Sequence, residues 1–200
     1  MASASTKPRR KSKKRKEPKR AGYWALLRAV PKTVAKLGFR GLTYRALADE
    51  AGVTYGLISY HFGTREALIE DAAKLAVDEA IVGSILVPES GEIDDFASGL
   101  TTLLREDPSG QAFQFDLVTE SMRNKKLHPP VVKLYTQYIG AVEDALKEFG
   151  IDDDPYLARV IFAALDGLTL QQFIFEDEAE TEKAIARLRE IIAAVAATKK

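Results

Sequence analysis

Hydrophobic positions recur three and four residues apart along most of this chain, and no stretch alternates apolar and polar residues over a strand's length. Between Ala21 and Leu37 the apolar set is Trp24, Leu27, Val30, Val34 and Leu37, which lies on one face of a helix. Pro31 interrupts that face. It removes the hydrogen bond to the Leu27 carbonyl, at a cost of ~3 kcal/mol in a straight helix, so the helix either kinks there or starts again. Gly38 closes it.

The most informative stretch is Leu42 to Phe62, where the spacing predicts two short helices joined by a tight turn. Thr43 is suited to cap the first, because its hydroxyl can accept from a backbone N–H that has no helical partner. Leu47, Ala48 and Ala51 form the apolar face, and Gly52 supplies the residue that leaves the helix with positive φ. Thr54 can cap the second helix, whose inward face holds Ile58 and Phe62. Its outward face then carries Tyr55, Gly56, Ser59 and Tyr60, with Leu57 alongside. Two helices of this length about a glycine-containing turn make a helix-turn-helix. Small and hydrogen-bonding side chains on the outward face suit a helix laid in the DNA major groove. With the helix before them they form a three-helix bundle whose expected core is Leu27, Val34, Leu47, Ile58 and Phe62.

Helical spacing continues to the end. Thr64 caps a fourth helix running to about Ile81, with Glu66 placed well for the helix dipole. A loop follows from Gly83 to Gly91. Further helices are expected over Asp94–Arg105, from Ser109 or Gly110 to about Arg123, from Pro129-Pro130 to Phe149, from Asp154-Pro155 to Phe175, and from Thr181 to about Ala197. The expectation is all-α, about nine helices, in two parts: a helix-turn-helix domain over 21–66 and a further helical domain over 67–200.

The string Tyr60-His61-Phe62-Gly63-Thr64-Arg65-Glu66-Ala67-Leu68 sharpens this picture. It resembles the junction motif of the TetR family of transcriptional regulators, in which the recognition helix ends in an aromatic-His-Phe run before a short turn, a basic residue and an acidic one. The pattern extends over Leu27–Leu68, including Gly38-Phe39 and Leu47-Ala48. Two departures stand out: Ser59 occupies a position where many members carry an aromatic, and Arg65 replaces the commoner lysine. The resemblance implies base readout by Thr54, Tyr55 and Gly56, and phosphate contacts from Thr43, Tyr60, His61 and Arg65. It also implies that 67–200 is a ligand-binding and dimerisation domain, with a homodimer through the last two helices, a palindromic double-stranded DNA operator, and a repressor released by an unknown small apolar or amphipathic effector.

The net charge of zero hides an asymmetry. Ten of the 29 basic residues but one of the 29 acidic residues lie in positions 1–20, so the first twenty residues carry +9 and the remainder −9. This segment is expected to be a disordered basic arm, available to phosphates or the minor groove. Cysteine is absent, which excludes disulfides and thiolate chemistry and suits a reducing cytoplasm. No apolar run is read as approaching the ~20 residues that span a bilayer, so no membrane partner is expected.

In the C-terminal part, aromatics and scattered polar groups suggest an apolar pocket with a few convergent polar atoms. Phe113, Leu117, Tyr135, Tyr138, Phe162 and Asp166 are the candidate ligand residues. Asp166, beside Gly167 in an apolar stretch, must find a donor, because burying it unpaired is costly. Gly167 permits close approach of another helix. The two histidines, His61 and His128, have no neighbours at metal-ligand spacing, and no phosphate loop or nucleophile elbow occurs. Neither catalysis nor a cofactor is expected. A constitutive DNA-binding protein driven by its arm, and a ligand-binding bundle that does not read DNA, are the two alternatives.

Overall fold

The helical pattern is realised throughout the described part of the chain, and no strand occurs there. The computed structural model describes residues 17–82, 86–152 and 154–198. Its elements are α1 (Glu17–Gly41), α2 (Tyr44–Ala51), α3 (Gly56–Phe62), α4 (Arg65–Val82), α5 (Leu100–Glu106), α6 (Pro108–Ser121), α7 (His128–Glu148), α8 (Pro155–Phe175) and α9 (Glu178–Thr198), with one 3-10 turn at Ile93–Asp95.

Most boundaries follow from local chemistry. The Thr43 hydroxyl accepts from Ala46 N at 3.2 Å and the Thr64 hydroxyl from Ala67 N at 3.1 Å, opening α2 and α4 as expected. Gly52 takes the left-handed conformation (φ 63°, ψ 33°) and donates its N–H to Ala48 and Asp49 carbonyls, which stops α2. Carboxylates do the same work in the C-terminal part: Asp107, Asp154 and Asp177 each cap the following helix through a backbone N–H at 3.0 Å.

Several expectations need correction. The segment 17–20 is helical rather than part of a disordered arm; residues 1–16 lie outside the described residues. The chain stays helical through Pro31 and does not restart there; the non-helical residue inside α1 is Gly38 (φ 67°, ψ 172°). Trp24 and Leu37 are exposed at 38% and 54%, so the apolar stripe of α1 is narrower than its spacing suggests. Thr54 does not cap α3: the residue before the helix is Tyr55, and no side chain caps that end. The helix expected over Asp94–Arg105 begins only at Leu100, because Ala97 (φ 56°) and Gly99 (φ 97°) take left-handed conformations that break it. The last helix starts at Glu178 rather than Thr181, since Asp177 supplies the cap.

Two cores divide the molecule. The first contains all five residues expected for the bundle, Leu27, Val34, Leu47, Ile58 and Phe62, and extends to Leu68 and Ala72 of α4 and to Phe113 and Leu117 of α6. The second joins Phe96, Leu100 and Leu104 to α7, α8 and α9 through Val142, Leu146, Ile161, Phe162, Leu165, Ile185 and Ile192. The N-terminal three-helix bundle is therefore welded to the rest through α4 and α6. An 18-residue stretch of the 21-residue α8 helix has a mean hydropathy of 1.3, so the helix is long and apolar enough to cross a membrane by length and composition. Arg159 and Asp166 interrupt it, so its sequence holds no uninterrupted apolar run of ~20 residues. It packs between α7 and α9, and its outer side leaves Val160, Leu170, Ile174 and Phe175 exposed.

Candidate nucleic-acid interface and effector cavity

The short helix α3 has two sharply different sides. Ile58 is completely buried and Phe62 nearly so, with the Tyr23 ring of α1 stacked on Phe62 at 5.0 Å. On the opposite side Thr54, Tyr55, Gly56, Ser59 and Tyr60 are exposed, Tyr55 and Tyr60 each at 63%. A Cβ added at Gly56 meets no heavy atom within 4 Å, so this edge of the helix is open. The ring of Tyr44, at the start of α2, lies 6.2 Å from that of Tyr55, and its hydroxyl donates to the Gly63 carbonyl at 3.4 Å. Sequence spacing gave no sign of Tyr44, because the contact depends on how α2 and α3 cross.

The residues expected at phosphates fall into two groups. Thr43, just before α2, and Tyr60, on α3, are exposed, and the Thr43 hydroxyl that caps α2 can still donate its own proton. Arg65 and His61 are half-buried. The Arg65 guanidinium donates from Nε to the Leu42 carbonyl at 2.7 Å and from Nη2 to the Phe39 carbonyl, which ties the start of α4 to the end of α1 and the residue that follows it. The His61 ring packs edge-on against Tyr23 and Tyr60, 5.7 and 5.0 Å between centroids, and its Nε2 is enclosed by protein without a partner. Exposed Arg40 and Arg45, which spacing did not single out, add positive charge on either side of Thr43.

Arg65 is accordingly expected to act on the frame as well as on charge. In Arg65→Ala two carbonyls lose a charge-assisted partner, which costs about 1–3 kcal/mol. Arg65→Lys keeps the charge but not the fork that reaches both carbonyls. Chemical denaturation should show both variants destabilised, the lysine one less so; full stability in Arg65→Lys would mean that charge alone matters.

A cavity of about 430 Å³ lies between the two cores. Leu27 and Pro31 of α1, Ala72, Leu75 and Ala76 of α4, Leu100 and Leu103 of α5, Phe113 and Gln114 of α6, Tyr138 of α7, and Phe162, Leu165, Asp166 and Thr169 of α8 line it, with Arg28, Lys32 and Asp107 also contributing. Four of the six candidate ligand residues, Phe113, Tyr138, Phe162 and Asp166, reach its wall. Leu117 does not, because its side chain is consumed in the first core with no exposure. Tyr135 stands behind the wall, where its hydroxyl donates to Asp166 Oδ2 at 3.1 Å and its ring meets Phe162 edge-on at 5.3 Å. The donor that Asp166 requires is thus Tyr135.

Burial pushes the Asp166 carboxyl above the usual carboxylate range, against the Tyr135 hydrogen bond that lowers it. Burial likewise raises the Tyr135 phenol, helped by the negative charge and hydrogen bond of Asp166. The phenol of Tyr138 is raised by burial too, and its hydroxyl donates to Gln114 Oε1 at 3.0 Å. Among the described residues no group of three or more potential ligands gathers to hold a metal.

Gly167 faces away from this cavity. A Cβ there meets nothing within 4 Å, so the close approach it permits is not made inside the chain. It lines a groove between α8 and α9 together with Ala163, Ala164, Leu168, Gln171, Leu188 and Ile191.

Comparison with known proteins gives a consistent result. Residues 27–72 match the profile described as bacterial regulatory proteins, tetR family, and residues 91–197 match the tetracyclin repressor-like C-terminal domain. A TetR-family transcriptional regulator from Rhodococcus sp. is similar in structure at 24% identity and a TM-score of 0.67, over 88% of this chain and 98% of that one. A member of the TetR family from Streptomyces coelicolor A3 is similar at 25% identity and a TM-score of 0.65, over 84% and 97%. The multidrug binding protein EbrR, in its complex with imidazole, is similar at 25% identity and a TM-score of 0.59, over 83% and 93%. No curated protein matches the sequence.

Proposed function

Since this chain belongs to the TetR family of bacterial regulatory proteins, a family of DNA-binding transcriptional regulators, we propose that it is a homodimeric repressor released from a palindromic operator by a small molecule. The observation that carries this reading is the cavity, whose wall includes α1 and α4, the same helices that hold and connect the DNA-reading bundle. A ligand there touches the frame of the recognition helix directly. Ligand binding would bias α4 toward a position in which the two recognition helices no longer fit successive half-sites, a population shift with a coupling free energy between the sites. That the similar protein EbrR is described as multidrug binding and was solved with imidazole and with proflavin is in keeping with such a site.

In this reading Thr54, Tyr55 and Gly56 read bases, and the open edge at Gly56 lets the helix backbone approach them. Thr43 and Tyr60 contact phosphates, with His61 and Arg65 fixing the frame that presents them. The exposed apolar side of α8 and the groove at Gly167 pair with their counterparts in a second copy, an isologous four-helix interface. It sets two α3 helices about 34–36 Å apart, one turn of DNA.

Selection of bound sequences from a random DNA pool at about 150 mM salt, where weak phosphate binding is suppressed, tests the proposal. A palindrome with half-sites about one turn apart is expected. Tyr55→Ala should then change the preferred bases at a cost of about 1–3 kcal/mol to the original site. Deleting residues 1–20 should weaken every sequence and leave the preference unchanged. A pool with no consensus, or loss of nearly all binding with the arm, would favour the constitutive arm-driven alternative.

A further inference from the structure

The polar inventory of the cavity is lopsided. The Tyr135 hydroxyl spends its proton on Asp166, the Tyr138 hydroxyl on Gln114 Oε1, and the Thr169 hydroxyl on the Leu165 carbonyl at 2.9 Å. What these groups leave toward a ligand is acceptor capacity: the Asp166 carboxylate and the lone pairs of the Tyr138 and Thr169 oxygens. Around them the wall is apolar and aromatic, with the Tyr138 and Phe162 rings stacked at 5.4 Å and 22°. Among the side chains lining the cavity, the neutral donors that remain are the amides of Gln111 and Gln114 and the Ser109 hydroxyl. Two cations, Arg28 and Lys32, also border the cavity, but both are exposed, as is the opposing Asp107. Charges in water are screened, whereas a carboxylate among aromatic rings acts through a lower dielectric.

We propose that the cavity takes a flat or amphipathic organic cation that carries N–H donors, its charge paired with Asp166 and its apolar body against Tyr138 and Phe162. This deepens the effector reading and rests on it. The cation gains from the carboxylate and from the faces of the aromatic rings together. Tyr135 is a positioning residue here: its hydroxyl holds Asp166 Oδ2 and leaves Oδ1 to the ligand. The shifted titration of Asp166 is in accord, because a carboxylate held half-buried beside one phenol is stabilised by an incoming positive charge.

Asp166→Asn separates this role from a structural one. Asparagine keeps an acceptor for Tyr135 and removes the buried charge. A carboxyl raised above its unfolded value costs stability when ionised, a cost absent below about pH 4 and growing as pH rises through the folded value. The variant should therefore melt higher than the parent at pH 7, with the gain shrinking as pH falls toward about 4.

The binding experiment uses the full chain and three probes of similar apolar size: an aminoacridinium dye, uncharged anthracene methanol, and decanoate. The dye should bind tightest, and Asp166→Asn should weaken it by about ten- to a hundredfold while leaving the neutral probe unchanged. Leu103→Trp, which fills the cavity, should reduce binding of every probe. Equal binding of dye and neutral probe, a dye affinity untouched by Asp166→Asn, or preference for decanoate would overturn the cation assignment while the cavity reading stands. Failure of all three probes to bind, or binding that survives Leu103→Trp, would instead remove the effector reading and the proposal with it.

Discussion

Placing glutamate at both Val160 and Ile174 is expected to give a folded monomer whose affinity for a two-half-site operator falls by about 10²–10⁴. Each of these side chains is 64% exposed in the single chain, so neither substitution opens a cavity or buries a charge there. The effect on the protomer should stay within ±0.5 kcal/mol, as for ordinary surface changes. In an isologous interface every substitution appears twice, and four carboxylates would meet across a surface otherwise made of Ala163, Gly167, Leu170 and Ile191. Operator affinity suffers because a dimer converts the second half-site contact into an intramolecular event, an advantage of that size. Light scattering at several concentrations and titration of the selected operator measure the two effects. A variant that remains dimeric would relocate the interface, and a monomer that binds as tightly as the parent would mean that one copy suffices.

What the sequence made legible was local. Thr43, Gly52, Thr64 and Asp154 act on residues at most four or five positions away, and each does in the fold what its chemistry requires. The five-residue core of the bundle was legible for the same reason: one face of each short helix is apolar, and there is little else for it to cover. The failures are equally instructive. Phe96, Leu100 and Leu104 keep perfect helical spacing, yet Ala97 and Gly99 turn the chain so that Phe96 and Ala97 fill the second core. A positive φ at an alanine is unfavourable by itself, and tertiary burial decides it.

The candidate sites divide along the same line. The outward face of α3 follows from knowing its inward face, so its exposed residues could be named from the sequence. The tie from Arg65 to Leu42 and Phe39 spans more than twenty positions, and the cavity draws walls from α1 through α8. Nothing in the spacing of Leu27 or Pro31 announces a ligand wall. Asp166 was visible because an isolated carboxylate in an apolar run demands a partner, but which phenol answers it is a fact of helix crossing, and Tyr135 rather than Tyr138 does so. Leu117 was misplaced because aromatic and aliphatic wall residues look the same in sequence whether they face a cavity or another helix.

Ile58→Ala is expected to cost about 2–5 kcal/mol of stability and to abolish selective DNA binding. The α3 helix has seven residues and no side-chain cap at its start, far too few to persist by its own propensity. What holds it is the burial of Ile58 and Phe62 between α1 and α4. Losing most of one anchor consumes a large share of the 5–15 kcal/mol that a domain usually has, and the loss falls first on the helix that reads bases. Ile58→Val should cost only about 0.5–1.5 kcal/mol and keep operator preference. Tyr55→Ala, on the exposed face, should do the reverse, changing preference with little effect on stability. Denaturant titration of the three variants, with hydrogen exchange across Gly56–Phe62, separates anchoring from reading. If Ile58→Ala retained both stability and selectivity, the recognition helix would have to be held by something other than its buried face, and the assignment of Thr54, Tyr55 and Gly56 to DNA would lose its physical basis.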